Sequence, residues 1–143
     1  MENIGWKFDN SYTQLSQSMM SRTLPTKVKS PKIVIVNYEL AKQLGLDFSS
    51  LNNEELAQLF TGNEIPKGSD PIAQAYAGHQ FGHLVILGDG RAIVLGEHVT
   101  PTNQRYDIQF KGSGRTPYSR GGDGKAALGP MLREYIISEA MYH

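Results

Sequence analysis

Asp107-Ile-Gln-Phe-Lys-Gly-Ser-Gly-Arg-Thr-Pro-Tyr-Ser-Arg-Gly-Gly-Asp-Gly-Lys125 opens as a strand and continues as a glycine-rich loop. From Tyr106 to Lys111 the residues alternate, with Ile108 and Phe110 on one face and Asp107, Gln109 and Lys111 on the other. Between Lys111 and Lys125 stand five glycines, four cations (Lys111, Arg115, Arg120, Lys125) and one anion, Asp123. The whole chain balances 14 Lys and Arg against 14 Asp and Glu, so this positive surplus is local. Glycine lets backbone N–H groups approach a ligand, and the cations favour an anionic one. A strand-to-helix junction of this kind commonly holds phosphate. Neither standard phosphate motif fits. Walker A would need Gly at Ser119 and Ser or Thr at Ala126, and the dinucleotide fingerprint would need Gly at Pro117. By itself the run also reads as a flexible surface loop.

The residues on either side sharpen the reading. Upstream, His83 to Leu87 and Ala92 to Glu97 are apolar runs around Gly88-Asp-Gly-Arg91, which predicts a hairpin. Downstream, Leu128, Met131, Leu132, Tyr135, Ile136 and Ala140 recur at helical spacing from Ala126 to Met141, with Pro130 suited to the first turn. A glycine-turn hairpin, a strand ending in Lys and a helix carrying Glu follow the order of a protein-kinase small lobe. In that arrangement the Gly88 turn lies over a nucleotide, Lys111 reaches its phosphates and Glu134 fixes the Lys111 ammonium. Taken singly, the three features also read as a plain turn, a solvated strand end and a solvated helix face.

Toward the N-terminus the signals are helical. Residues 1 to 31 read as an arm with a short helix near Tyr12 to Met20, packed by Trp6, Phe8 and Tyr12. Ile33-Val-Ile-Val36 predicts a short buried strand. Asn37 caps a helix over Tyr38 to Leu44 closed by Gly45, and Asn52 or Asn53 opens Glu54 to Phe60, closed by Gly62. Residues 61 to 71 read as a loop. The expected fold is α+β: an N-terminal arm and helical extension over residues 1–70, then a kinase-like small-lobe core over 71–143. That core is an antiparallel sheet with one helix, incomplete without a large lobe. The last helix ends in Ala-Met-Tyr-His143 without Gly, Pro or a polar cap, so more protein is expected to follow.

Composition narrows the function classes. A chain of 143 residues with 39% hydrophobic and 20% charged residues has room for one modest core. Balanced charge argues against nucleic acid or a membrane surface as partner. With no cysteine, thiol chemistry, disulfides and cysteine-ligated zinc sites are excluded. No run approaches a membrane span and no signal peptide opens the chain, which makes the cytoplasm the default. His79 and His83 stand four apart, as metal ligands on a helix can. Gly78 and Gly82 disfavour that helix, so packed or hydrogen-bonded histidines are the expectation.

Several longer words closely resemble the SelO family, also known as YdiU or UPF0061. They are Gln74-Ala-Tyr-Ala-Gly-His-Gln-Phe-Gly82, Leu87-Gly-Asp-Gly-Arg-Ala-Ile-Val-Leu-Gly-Glu97 and the opening Asp107–Lys125 stretch. Phe8-Asp-Asn-Ser-Tyr12 and Leu132-Arg-Glu-Tyr-Ile-Ile-Ser-Glu-Ala-Met141 match as well. The resemblance implies a kinase-like pseudokinase that binds ATP in a flipped orientation and transfers AMP to Ser, Thr or Tyr hydroxyls of other proteins. It implies nucleotide contacts from Gly88, Gly90, Arg91, Lys111, Asp123 and Gly124, with Glu134 as the helix glutamate that orients Lys111. It further implies that the catalytic Asp and the ligands of Mg2+ (or Mn2+) lie beyond residue 143. No catalytic residue or metal ligand is then expected within this chain, and the chain alone is expected to be inactive. An ordinary phosphotransferase of the same fold and a non-catalytic nucleotide-binding module are the alternatives.

Overall fold

The computed structural model describes residues 4–80 and 82–143. It is a mixed α/β structure built on antiparallel sheets. Strands β1 (Met20–Arg22), β2 (Ile72–Gln74), β5 (Ala92–Val99) and β6 (Arg105–Lys111) form one sheet in the order β1-β2-β5-β6. A two-stranded ribbon, β3 (Ala77–Gln80) with β4 (His83–Ile86), stands beside it. Three helices complete the chain: α1 (Tyr38–Gln43), α2 (Asn53–Thr61) and α3 (Leu128–Tyr142). No helix among the described residues is long and apolar enough to cross a membrane.

Both short N-terminal helices begin where their side chains predict. Asn37 Oδ1 accepts the Leu40 N–H at 2.9 Å. Asn52 accepts from Glu54 and Glu55 while Glu55 reaches back to the Asn52 N–H, a full capping box. Gly62 ends α2 at φ 75°, a left-handed turn that glycine adopts without strain. Leu56 and Leu59 of α2 meet Ile4, Ala41, Leu46 and Phe48 in the larger core, with Trp6, Ile33 and Val36 packed at its margin. Met20, Ile72 and Val94 form a smaller cluster within the sheet.

Three sequence expectations are corrected. Ile33 to Val36 form no strand: Ile33 and Val36 touch the core, while Val34 and Ile35 are exposed and the segment pairs with no neighbour. β-branched composition favours extension, yet a strand also needs a partner edge. The helix near Tyr12 to Met20 is only a 3₁₀ turn over Ser11–Gln14, after which the chain extends into β1. Here buried Glu97 takes the Ser11 hydroxyl at 2.8 Å and the Tyr12 N–H at 2.8 Å, fixing the turn from outside. Third, β4 and β5 do not pair across Gly88–Arg91. β4 pairs with β3, and β5 lies between β2 and β6. The partner of the segment before β5 is the end of β2: Asp89 donates its N–H to Gln74 O at 2.8 Å and accepts the Gln74 N–H through Oδ2 at 2.9 Å. Gly88 and Leu87 donate to Tyr76 O.

β5 is the centre of the fold, with Ile93, Val94 and Leu95 all buried. The pairing of β5 with β6 shifts register between Val94 and Gly96. Gly96 is the close-approach point of the arm, since a Cβ there would meet the Phe8 ring and Asn10. The arm is held along β5 by the Phe8–His98 bridge, by Asp9 N–H to Glu97 O at 2.9 Å, and by Arg105 bridging Asp9 and Glu97. Helix α3 forms where the spacing predicts, but its face is only half-buried at Met131, Leu132 and Tyr135. Leu128 and Ile136 are exposed.

Candidate functional site

One cavity of about 730 Å³ collects most of the residues singled out in the sequence. Gly88, Gly90, Arg91, Lys111, Asp123 and Gly124 all line it, with Tyr76, Gln109, Tyr118, Ser119, Arg120 and Lys125. The elements explain the convergence. β6 delivers Lys111 at its last position, on the exposed face shared with Gln109. The chain then leaves as a loop that returns to its own base, where Ser113 bridges Lys125 and the Gly114 N–H donates to Gly124 O at 3.2 Å. Helix α3 begins just beyond and presents Glu134, whose Oε2 accepts from Lys111 Nζ at 2.8 Å. The pairing expected from strand-end Lys and helix Glu is therefore present.

The loop is shaped by backbone that only glycine tolerates. Gly124 has φ 68°, and a Cβ there would overlap the Gly114 carbonyl. Gly88 has φ 70° and lies against the Tyr118 ring, where a Cβ would stand about 2.5 Å from the ring carbons. Two polar clasps bind the loop to the Gly88–Arg91 segment. Thr116 Oγ1 donates to Asp89 O and Ser119 Oγ to Gly90 O, each at 2.5 Å. Gly112 N–H donates to Arg91 O at 2.7 Å.

The cations divide by what they already hold. Arg115 spends its guanidinium on the loop itself, Nε to Gly122 O at 2.9 Å and Nη2 to Gly121 O at 3.0 Å. Lys111 is paired with Glu134. Among the described residues, the side chains of Arg91, Arg120 and Lys125 make no hydrogen bond or ion pair, and all three line the cavity. Three unpaired cations beside glycine backbone make a surface suited to a multiply charged anion. The sequence places Arg115 among the cations that favour an anion; in the fold the loop carbonyls of Gly121 and Gly122 are its partners. The sequence reading did not anticipate Thr116 and Ser119, for which the only signal was a pair of hydroxyls three apart around Pro117.

Asp89 forms part of the cavity wall but is itself buried. Burial pushes its carboxyl above the ordinary range, partly offset by the Gln74 N–H. Its stabilising contribution is therefore greatest below the unfolded value of about 3.9 and falls as pH rises through the folded value. Asp89→Asn keeps an acceptor for Gln74 and removes the ionisation. At pH 7 it is expected to leave stability unchanged or raise it by up to about 1 kcal/mol. Urea unfolding at pH 4 and pH 7 checks this, because the difference between the two should shrink in the variant.

Among the described residues no three His, Asp or Glu side chains gather as a cation would need. Asp123 Oδ1 accepts the Lys125 N–H, which folds the carboxylate back on its own turn. His79 and His83 lie on the β3–β4 ribbon, where His79 faces Leu84 and His83 faces Gln80 in the register. They do not share a helix face.

The frame is thus a mixed α/β protein whose antiparallel sheet and following helix hold a cation-lined, glycine-walled cleft. The profile of the family described as protein adenylyltransferase SelO matches residues 2–143. The chain belongs to the SelO family. It is 65% identical to the protein nucleotidyltransferase YdiU of Brevibacillus brevis over 138 residues, 96% of this chain and 28% of that protein. The proteins of the same name from Anoxybacillus flavithermus and Geobacillus kaustophilus are 64% and 63% identical, each over 98% of this chain and 29% of the relative. The chain therefore spans less than a third of the length of these relatives.

Proposed function

We propose that this chain is the nucleotide-binding, kinase-like small-lobe part of a protein adenylyltransferase, which moves AMP from ATP to Ser, Thr or Tyr hydroxyls of other proteins. The observation that carries the reading is the 2.8 Å Lys111–Glu134 pair at the mouth of the glycine-walled cleft. A lysine held by a carboxylate keeps its ammonium in one place, where it can hold phosphate at little further entropic cost. Gly88, Gly90 and Gly124 give the backbone close approach, and Arg91 adds charge from the facing wall. Asp123 shapes the turn that brings Gly124 and Lys125 to the ligand. The nucleotide lies flipped, with its phosphates toward the loop cations that hold the departing pyrophosphate. Among the described residues no three His, Asp or Glu side chains gather to hold Mg2+ or Mn2+. The reading assigns that ion and the catalytic Asp to the part of the relatives that this chain does not span. The protein works in the cytoplasm, with ATP and protein hydroxyls as its substrates.

Two measurements test the proposal. The wild-type chain should bind a fluorescent ATP analogue, and Lys111→Ala should weaken that binding at least about tenfold, the loss expected for a charge-assisted phosphate contact. The fold should survive, because an ion pair this exposed contributes roughly 0–1 kcal/mol to stability. In a full-length relative, label should pass to protein from the α-phosphate of ATP and not from the γ-phosphate. Label retained only from the γ-phosphate would identify a phosphotransferase instead.

A further inference from the structure

We infer that the turn Thr116–Ser119 is a positioning clamp. It welds the glycine-rich loop to the Gly88–Arg91 segment and thereby sets the spacing of Arg91 against Arg120 and Lys125 for a pyrophosphate-type anion. The inference rests on the nucleotide reading of the cleft and adds to it the residues that give the phosphate-binding wall its shape.

The two halves of that wall come from different parts of the chain, joined below by the β5–β6 ladder that starts at Ala92 and Lys111. Arg91 is carried by the segment before β5, whereas Arg120 and Lys125 ride on the loop after β6. The link at the base is the Gly112 N–H to Arg91 O. At the tip, the link is the Thr116–Ser119 turn. Its own closure is internal: Ser119 N–H donates to Thr116 O, and both the Thr116 N–H to Ser119 Oγ and the Tyr118 N–H to Thr116 Oγ1 are made. With those bonds fixing the hydroxyls, each has one proton left to donate outward. Thr116 gives its proton to Asp89 O and Ser119 gives its proton to Gly90 O, two successive carbonyls just before Arg91. The Tyr118 ring closes over Gly88 between them.

A surface loop needs no such attachment to remain soluble, and Thr116 is buried although its neighbours Arg115 and Pro117 are exposed. Burying a hydroxyl is costly unless it is hydrogen-bonded, and both hydroxyls here are satisfied by the opposing wall. The consequence falls on the cations. Arg120 follows Ser119 directly and Arg91 follows Gly90 directly, so the Ser119–Gly90 bond joins the residues immediately before each. A polyvalent anion that bridges these cations gains from their being held at one spacing before it binds, because no loop ordering remains to be done. Thr116 and Ser119 touch no ligand in this scheme; they act through Arg91, Arg120 and Lys125.

The test is equilibrium binding of inorganic pyrophosphate and of ATP to the full chain, with melting temperature recorded alongside. Thr116→Val and Ser119→Ala remove the donors with little change of volume, while Thr116→Ser and Ser119→Thr keep them. The expected result is a rise in the pyrophosphate dissociation constant of about tenfold in the double variant and about threefold in Ser119→Ala alone. Affinity should return in the hydroxyl-retaining variants. A merely structural role would lower the melting temperature and leave pyrophosphate affinity in the folded protein unchanged, and that outcome overturns the inference. Should Thr116→Val fail to fold, Ser119→Ala decides alone, since Ser119 is only partly buried. If the wild-type chain binds pyrophosphate but not ATP, and Ser119→Ala weakens that binding, the clamp stands and the adenylyltransferase reading falls. If it binds neither, both fall; if Ser119→Ala binds both as tightly as wild type, only the clamp falls.

Discussion

Replacing Glu97 by Ala is expected to lower the unfolding free energy by about 2–4 kcal/mol, the cost of orphaning partners of a buried charge. The Glu97 side chain is 3% exposed. It accepts the Ser11 hydroxyl, the Tyr12 N–H and Arg105 Nη1, the last at 3.2 Å. Without the carboxylate, the 3₁₀ turn loses its anchor and Arg105 retains only Asp9. Burial alone would push the Glu97 carboxyl upward, but the bonds from Tyr12, Ser11 and Arg105 outweigh it and hold it below its ordinary value. The sign of the pH effect follows. A depressed carboxyl contributes its stability above the unfolded value of about 4.3 and loses it as pH falls through the folded value. Wild-type protein should therefore weaken in acid by more than Glu97→Ala does, and the gap between the two urea midpoints should narrow as pH falls. Glu97→Gln, which keeps an acceptor but not the charge, should fall between them. Equal midpoints for wild type and Glu97→Ala at pH 7 would remove Glu97 from its role as anchor of the arm.

The arm matters to the cleft because the sheet carries both. Glu97 lies on β5, and β5 pairs in register with the β6 residues that end in Lys111 (Ala92 opposite Lys111, Glu97 opposite Asp107). Loss of the arm from one end of that pair loosens the strand that positions the lysine at the other. Partial melting of residues 4 to 15 should appear in hydrogen exchange before the cleft is affected, since the β5–β6 ladder has its own bonds.

How much of this was legible in the sequence depends on whether the deciding interaction was local. Asn37, Asn52 with Glu55, and Gly62 announced α1 and α2, because caps act within one turn of the residues that make them. Alternation announced β6, and the order of Lys111 and Glu134 announced a pair that the fold makes. The pairing of β4 was misread because Gly88-Asp-Gly-Arg91 has hairpin composition, while the side chain that decides the matter, Asp89, is bonded to Gln74, 15 residues away. β2 and β3 were invisible for a related reason. Gln74, Ala77, Gly78 and Gln80 have little intrinsic strand preference; β2 is extended by partners distant in sequence, and β3 by β4, the strand that follows it. Ile33 to Val36 failed in the opposite sense, with strong local preference and no edge to join. At the cleft, glycines and cations marked the place but not the division of labour. That Arg115 serves the loop while Arg120 faces the cavity depends on φ 48° at Arg120 and on how the loop doubles back, neither of which residue type reveals.

Two glycines of the loop differ sharply in what an added methyl would meet, and their comparison isolates the closed base from general loop strain. Gly121→Ala places a Cβ in open space at φ 85°, so its cost is the left-handed conformation alone, about 1–2 kcal/mol. Gly124→Ala carries the same conformational cost at φ 68° and adds an overlap with the Gly114 carbonyl and the Arg115 nitrogen, both backbone atoms that no side-chain rotation can relieve. The base of the loop must open, breaking the Gly114 N–H to Gly124 O bond and the Ser113–Lys125 bridge. Lys125 then swings away from the cavity. Gly124→Ala should thus reduce affinity for ATP and for pyrophosphate by more than about tenfold, while Gly121→Ala stays within about threefold of wild type. Amide exchange across residues 112 to 126 should accelerate in Gly124→Ala and remain near wild type in Gly121→Ala, at equal temperature and pH. Indistinguishable affinities for the two variants would mean that the loop binds its anion without a closed base, and the wall would have to be rebuilt around Arg91 and Lys111 alone.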